Sequence, residues 1–355
     1  MKIKNYILYI TLFVTSLIPL QGFATENEEG EPFQINDLID EHINDSHDFH
    51  LFDYKGHTYS LPLPIILYTD KGLVTFLSSA FHHDNKGTVV VDKDGQRFVR
   101  YKEDIYYANA GTPLSFNEKG EVTNTRPLNF SITKNVFSLL LVSVLMVLIF
   151  TSMARSYKKN PKAPKGLTGV LEPIVLFVRD EIAIPNIGEK YYNRYMPYLL
   201  TVFFLIWIGN LFGLIPFFPF AGTVTNNILF TGMLAIFTLI LTLFSSNKHY
   251  WKHIFAPPGV PTWILPIMIP IEMLSVFTKP FALMIRLFAN MTAGHIIVLS
   301  LISLIFIFGT VYISPVSIVF TLFICILELL VAVLQAYVFT LLSALFIGQA
   351  VEEEH

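Results

Sequence analysis

Over most of this chain the apolar positions do not alternate with polar ones; they run on. From Val136 to Met153 the sequence is continuously apolar, about long enough as a helix to cross a hydrocarbon core roughly 30 Å thick. Two further runs, Pro197 to Phe220 and Ile228 to Phe244, predict a second and a third span. The next stretch, Trp263 to Ile313, is nearly unbroken by loop signals and measures about 75 Å as a helix rising about 1.5 Å per residue. Pro315 to Ile347 is also too long for an upright crossing. Either these helices tilt steeply, or the first breaks near Pro280 into two crossings. Tilt is the economical reading; it gives five spans and an inside C-terminus, whereas a break gives six and an outside one. Between the first two spans, Leu171 to Tyr195 mixes apolar residues with Glu172, Arg179, Asp180, Glu181 and Lys190, the pattern of a stretch lying in the inner interface.

The first 130 residues read differently. Lys2 and Lys4, the apolar run Tyr6 to Leu20 and then Gly22-Phe23-Ala24 form the pattern of a secretory signal cut after Ala24; an uncleaved anchor is the alternative, and either one exports the segment behind it. Residues 25–130 are polar, with short alternating runs on both sides of Asp94-Gly95, a strong hairpin signal. The expectation is a small, mostly β, periplasmic extension. Arg155, Lys158, Lys159, Lys162 and Lys165 come directly after the first span, which places that end in the cytoplasm by the positive-inside rule. The predicted divisions are a signal peptide over 1–24, a periplasmic extension over 25–130, a transmembrane domain over 131–350 and a tail over 351–355.

Composition sharpens the class. Hydrophobic residues make up 53% of the chain and charged ones 14%, so it belongs in lipid. No basic patch with interleaved aromatics is present, and nucleic acid is not an expected partner. The single cysteine, Cys325, rules out an intrachain disulfide. His42, His47, His50, His57, His82 and His83 crowd the extension, but their spacings match no ligand motif, and they read as ordinary loop and surface residues rather than a metal site.

Ionisable side chains at membrane depth are costly, by about 2.5 to more than 10 kcal/mol for a central charge, so each calls for a reason. Between Trp263 and Ile347 they are Glu272, Lys279, Arg286, His295 and Glu328, with the neutral Asn290 and Gln335 beside them. At about 100° per residue, Glu272, Lys279, Arg286 and Asn290 fall within about 40° of one another, and His295 lies on the opposite side. Glu328 and Gln335, seven apart, share a face of the last helix. Lys279 is expected to snorkel to the interface. Asn290 or Gln335 alone is compatible with interhelical glue. His295 with Glu328 makes a pair able to bind and release a proton near neutral pH. Arg286 does not readily deprotonate and serves as a fixed positive charge.

The block Arg286-Leu287-Phe288-Ala289-Asn290-Met291-Thr292-Ala293-Gly294-His295 closely resembles the signature of subunit a of F-type ATP synthases. Gly209-Asn210-Leu211-Phe212-Gly213-Leu214-Ile215-Pro216, the run from Pro270-Ile271-Glu272 to Lys279-Pro280, and Leu334-Gln335-Ala336-Tyr337 support it, over about residues 130–350. The resemblance implies an all-α, multi-pass protein of the cell inner membrane. It would be a stator subunit whose long tilted helices lie against the ring of c subunits, with the b subunits of the peripheral stalk and the rest of the synthase as partners. It implies that Arg286 faces the ring carboxylate with Gln335 beside it. Asn290, His295 and Glu328 would line the periplasmic half-channel, Glu272 the cytoplasmic path, and Asn210 is a weaker channel candidate. His295 and Glu328 are exchanged relative to some bacterial members, as in mitochondrial relatives, and the pair is kept. No Walker motif appears; neither a catalytic residue nor a cofactor nor a metal is expected here. The alternative is a self-contained secondary transporter or channel, but its usual internal repeat is not found.

Overall fold

A computed structural model describes residues 45–54, 57–109, 111, 113–159, 166–215, 224–256, 261, 263–308 and 314–352. The expected signal peptide, His42, Lys162, Lys165 and the end of the tail lie outside the described residues. The chain divides into two compact units, with the boundary between Leu139 and Leu140 inside the first long helix.

The first unit is β-rich, as the alternation predicts. Among the described residues eight strands form three antiparallel sheets, β1-β2, β4-β3-β8 and β5-β6-β7. They are β1 Asp48–Tyr54, β2 His57–Pro62, β3 Pro64–Thr69, β4 Gly72–Leu77, β5 Lys86–Lys93, β6 Gln96–Tyr101, β7 Asp104–Tyr107 and β8 Leu128–Asn129. Asp94-Gly95 closes the β5-β6 hairpin, with Lys93 paired to Gln96 and positive φ angles of 53° and 66°, as the two-residue turn of that twist requires. Period-2 alternation sends Ile65, Leu67, Val74, Val91, Phe98 and Ile105 into one core with Phe81.

Beside that core sits a buried ionic cluster. Arg100, 2% exposed, donates from Nη1 to Asp48 Oδ2 at 2.6 Å and from Nε to the Asp84 carbonyl at 2.9 Å. Glu103 accepts from the His47 backbone N–H at 3.1 Å, and His47 Nε2 meets Asn129 Nδ2 at 3.2 Å. Burial pushes the Glu103 carboxyl up, but its hydrogen bonds from His47 and the Arg100 charge outweigh that and hold it below its ordinary value of 4.5. A few residues earlier, Asp45 accepts from the Asn135 backbone N–H at 3.0 Å and from the Thr133 hydroxyl at 2.8 Å. It thus caps the first long helix from ninety positions upstream, an anion at the positive helix end.

The second unit is helical, because a chain in hydrocarbon must satisfy its backbone internally. Its elements are α1 Lys134–Lys159, shared with the first unit, α2 Leu167–Phe177, a π-helical turn Val178–Ala183, α3 Ile184–Ile187, α4 Tyr192–Leu214, α5 Ile228–Ser245, α6 Lys248–Phe255, α7 Leu265–Phe308 and α8 Ser314–Val351. Five of these helices, α1, α4, α5, α7 and α8, are long and apolar enough to cross a membrane. Pro280 does not break α7, which continues for 44 residues with Pro270 and Pro280 inside it; the described residues therefore hold five candidate spans, and the sixth that a break at Pro280 would give is not formed. The second span begins earlier than its apolar run, at Tyr192, with Pro197 inside the helix.

Packing is close where side chains are small. α8 runs along α4 and α7, and α7 also lies on α5. A Cβ at Gly348 would stand 2.9 Å from the Asn186 backbone carbon of α3, so only glycine admits this approach. Tyr198 of α4 and Thr238 of α5 share a 2.7 Å hydrogen bond, and Thr238 meets Ser343 of α8 at 3.4 Å. Asn247 donates to the Ala350 carbonyl from its backbone and to the Val351 carbonyl from Nδ2, each at 2.9 Å, satisfying helix-end acceptors of α8.

Because the folded state holds Glu103 below 4.5, its stabilising share is present above that pH and lost as pH falls through the lowered value. Pepsin cleavage of the first unit in the full chain is expected to accelerate as pH is lowered from about 4.5, with Asp84, also held below its ordinary value, contributing to the same loss. Glu103→Gln should blunt that acceleration.

Candidate functional site

The packing face of α7 is set by Leu283, Leu287 and Met291, all buried and spaced four apart. That spacing turns Arg286 and Asn290 out to the surface of the chain, where both are exposed. Among the described residues none forms a hydrogen bond or an ion pair with Arg286. Lys279, on the same line, is not in its situation: it donates from Nζ to Gln349 Oε1 at 3.1 Å and lies 5.6 Å from the Phe346 ring centre. The expected polar line therefore exists as a helix face but not as one environment. Lys279 is tied to α8, and Arg286 is not.

On the other side of α7, His295 Nδ1 stands 3.6 Å from Glu328 Oε1 of α8. That is an ion-pair distance and too long for a hydrogen bond. Glu328 is buried, as are Ala332, Gln335 and Ala336 on the same face. Gly294 makes the pairing feasible: a Cβ there would collide with the Glu328 carboxylate and stand 3.0 Å from its Cδ. In an apolar interior such a paired carboxylate interacts with its partner far more strongly than in water.

Asn210, fully buried on α4, donates from Nδ2 to the Ala332 carbonyl at 3.4 Å and accepts from the Thr225 hydroxyl at 2.7 Å. Ala332 lies one helical turn from Glu328 and three residues from Gln335, so Asn210 joins their neighbourhood. Gln335 is buried while Arg286 is exposed, and no hydrogen bond links them within the chain.

Sequence reasoning passed over Thr225 and Asn226. Asn226 is 8% exposed with both amide atoms lacking a hydrogen-bond partner among the described residues. The polar run Thr223-Val224-Thr225-Asn226-Asn227 between two spans carried the signal. Gly294 was visible inside the arginine block, but its role depends on a helix crossing that no sequence pattern locates.

These arrangements define a polytopic helical membrane protein in which two long, packed helices bring ionisable groups to membrane depth. A family model described as the ATP synthase A chain matches residues 136–348, and a second, described as a domain of unknown function, matches residues 38–130. ATP synthase subunit a of Chloroherpeton thalassium is 47% identical over 64% of this chain and 68% of its own length. ATP synthase subunit a 2 of Chlorobaculum tepidum is 48% identical over 67% and 69%, and subunit a of Myxococcus xanthus 45% identical over 64% and 75%. The chain belongs to the ATP synthase A chain family. It is accordingly a non-catalytic membrane subunit, with the ATP chemistry on other subunits.

Gly294→Ala is expected to push the Glu328 carboxylate off His295 and to slow ATP-driven proton pumping by inverted vesicles by about tenfold, since ångström-scale misplacement of a transfer group is costly. Unaltered pumping would mean that the close approach of Glu328 to His295 is not needed for it.

Proposed function

We infer that this chain is the proton-conducting stator subunit of an F-type ATP synthase membrane sector, in which Arg286 is a fixed charge between two offset half-channels. The observation that carries this reading is an arginine left uncovered by its own chain on a helix of membrane-spanning character. A permanent cation facing hydrocarbon costs about 2.5 kcal/mol or more, so it needs an anion from outside the chain. A carboxylate carried on a neighbouring ring of c subunits supplies one, and only in its ionised form.

The cycle is then dictated by charge. A ring carboxylate must release its proton before it pairs with Arg286, and must regain one before it moves on into lipid. Arg286 cannot hand over a proton of its own, so protons cannot leak straight past it. On the periplasmic side, Asn290, His295 and Glu328 deliver protons, with Asn210 bracing α8 one turn away and Gln335 sharing the buried face. On the cytoplasmic side Glu272 serves the exit. Rotation of the ring is the only route between them.

In this reading residues 1–24 export the chain, residues 25–130 stand in the periplasm, and the C-terminus of α8 is cytoplasmic, all in the cell inner membrane. The c-ring, the b subunits of the peripheral stalk and the rest of the synthase are the partners.

Arg286→Ala is expected to abolish coupled ATP synthesis in membrane vesicles; normal synthesis by that variant would sink the assignment. Glu328→Gln should slow passive proton flux through the membrane sector, and flux unchanged across the neutral pH range would take Glu328 out of the path.

A further inference from the structure

The outward face of the β4-β3-β8 sheet is apolar where an antiparallel sheet facing water is ordinarily polar. β3 sends Ile65, Leu67 and Thr69 inward, which turns Ile66 and Tyr68 out. β4 buries Val74 and exposes Leu73 and Leu77. The register lines these residues up across the strands: Tyr68 pairs with Leu73 on one side and Leu128 on the other. One step along, the Phe130 N–H donates to the Ile66 carbonyl. Leu73, Leu128 and Phe130 are 63%, 63% and 65% exposed, and the polar group among these outward positions is Thr75. A contiguous exposed face of this kind marks an interaction surface rather than scatter.

The chain itself indicates the occupant. Beyond Phe130 the pairing with β3 continues, as the Ile132 N–H donates to the Pro64 carbonyl at 3.0 Å, two residues before α1 begins at Lys134. Asp45 caps that first turn, and the rings of Phe49 and Phe137 meet edge to face at 5.9 Å. The sheet is thus fastened to the very point where the first span starts. Along the sequence the outward Leu128 and Phe130 lead on to the exposed Val136 in the first turn of α1, a helix long and apolar enough to cross a membrane. Aromatic and aliphatic side chains together are the composition favoured at the headgroup boundary.

We propose that the outward face of the β4-β3-β8 sheet rests on the bilayer surface from which α1 enters, with Leu73, Tyr68, Leu128 and Phe130 immersed at the headgroup–acyl boundary. The proposal uses the membrane character of α1 and makes no use of the half-channel reading.

The test places a nitrobenzoxadiazole fluorophore at Phe130→Cys or Leu73→Cys in a Cys325→Ser background, within the assembled complex in liposomes. Glu118→Cys, in an exposed turn, is the water-facing control. The expected result at both positions is a blue shift relative to the control, quenching by spin-labelled lipid and protection from aqueous iodide. Quenching by iodide would mean the face is wet, and protection from both quenchers would mean a protein covers it; either overturns the proposal. The unmodified chain supplies a second reading that needs no substitution. Photo-cross-linking with a lipid carrying a diazirine near its headgroup should leave adducts within residues 66–77 and 128–130, and their absence would overturn it equally. Neither readout depends on proton flux, so a failed half-channel assignment would not be confused with a failure here.

Discussion

Arg286 carries a charge that it cannot shed, on a helix face that its own chain leaves open. The rest of the membrane unit can be understood around that constraint. Leu283, Leu287 and Met291 commit the neighbouring face of α7 to packing, and with the helix held there Arg286 and Asn290, on its flank, stay exposed. A break at Pro280 would uncouple that rotation from the half of α7 anchored by Lys279 to Gln349. The unbroken 44-residue helix keeps them in one register. Of the two prolines inside it, Pro280 is buried and Pro270 exposed.

The second constraint is the pair on the far side. A carboxylate buried between helices is tolerable only when its surroundings are arranged for it, and three features do this. Gly294 clears the space, His295 supplies a titratable partner within reach, and Asn210 ties α4 to α8 a turn away through the Ala332 carbonyl. Small residues and hydroxyls do similar work elsewhere, at Gly348 against α3 and in the Tyr198, Thr238 and Ser343 chain. Where lipid removes most of the hydrophobic drive for association, close approach and interhelical hydrogen bonds hold helices together.

How much of this was legible depends on which forces are local. Span number and helix length were readable because hydropathy is a property of contiguous residues, and the Asp94-Gly95 turn was readable because its backbone angles belong to two residues. The opposition of Arg286 and His295 came from helical period alone. The step from Gln335 to its burial, from Gly294 to the Glu328 carboxylate and from Asn210 to Ala332 needed the crossing points of α4, α7 and α8, which depend on side chains far apart in sequence. Thr225 and Asn226 were overlooked for a related reason: polar residues between two spans look like loop until a buried asparagine is found against them.

The first unit carries the same logic to the edge of the membrane. Its buried Arg100 and His47 and half-buried Asp48 and Glu103 form a cluster that contributes modestly to net stability, because desolvation offsets most of the attraction, yet its geometry demands one register between the segment around His47 and the β6-β7 hairpin. Asp45, two residues from His47, caps α1, so a register set by buried charges is handed directly to the start of the first span. A flexible tether would need neither the cap, nor the Phe49–Phe137 contact, nor pairing that continues to Ile132. The extension and the first turn of α1 thus belong to one compact unit. The apolar face across Tyr68 and Leu73 is the one that water suits least.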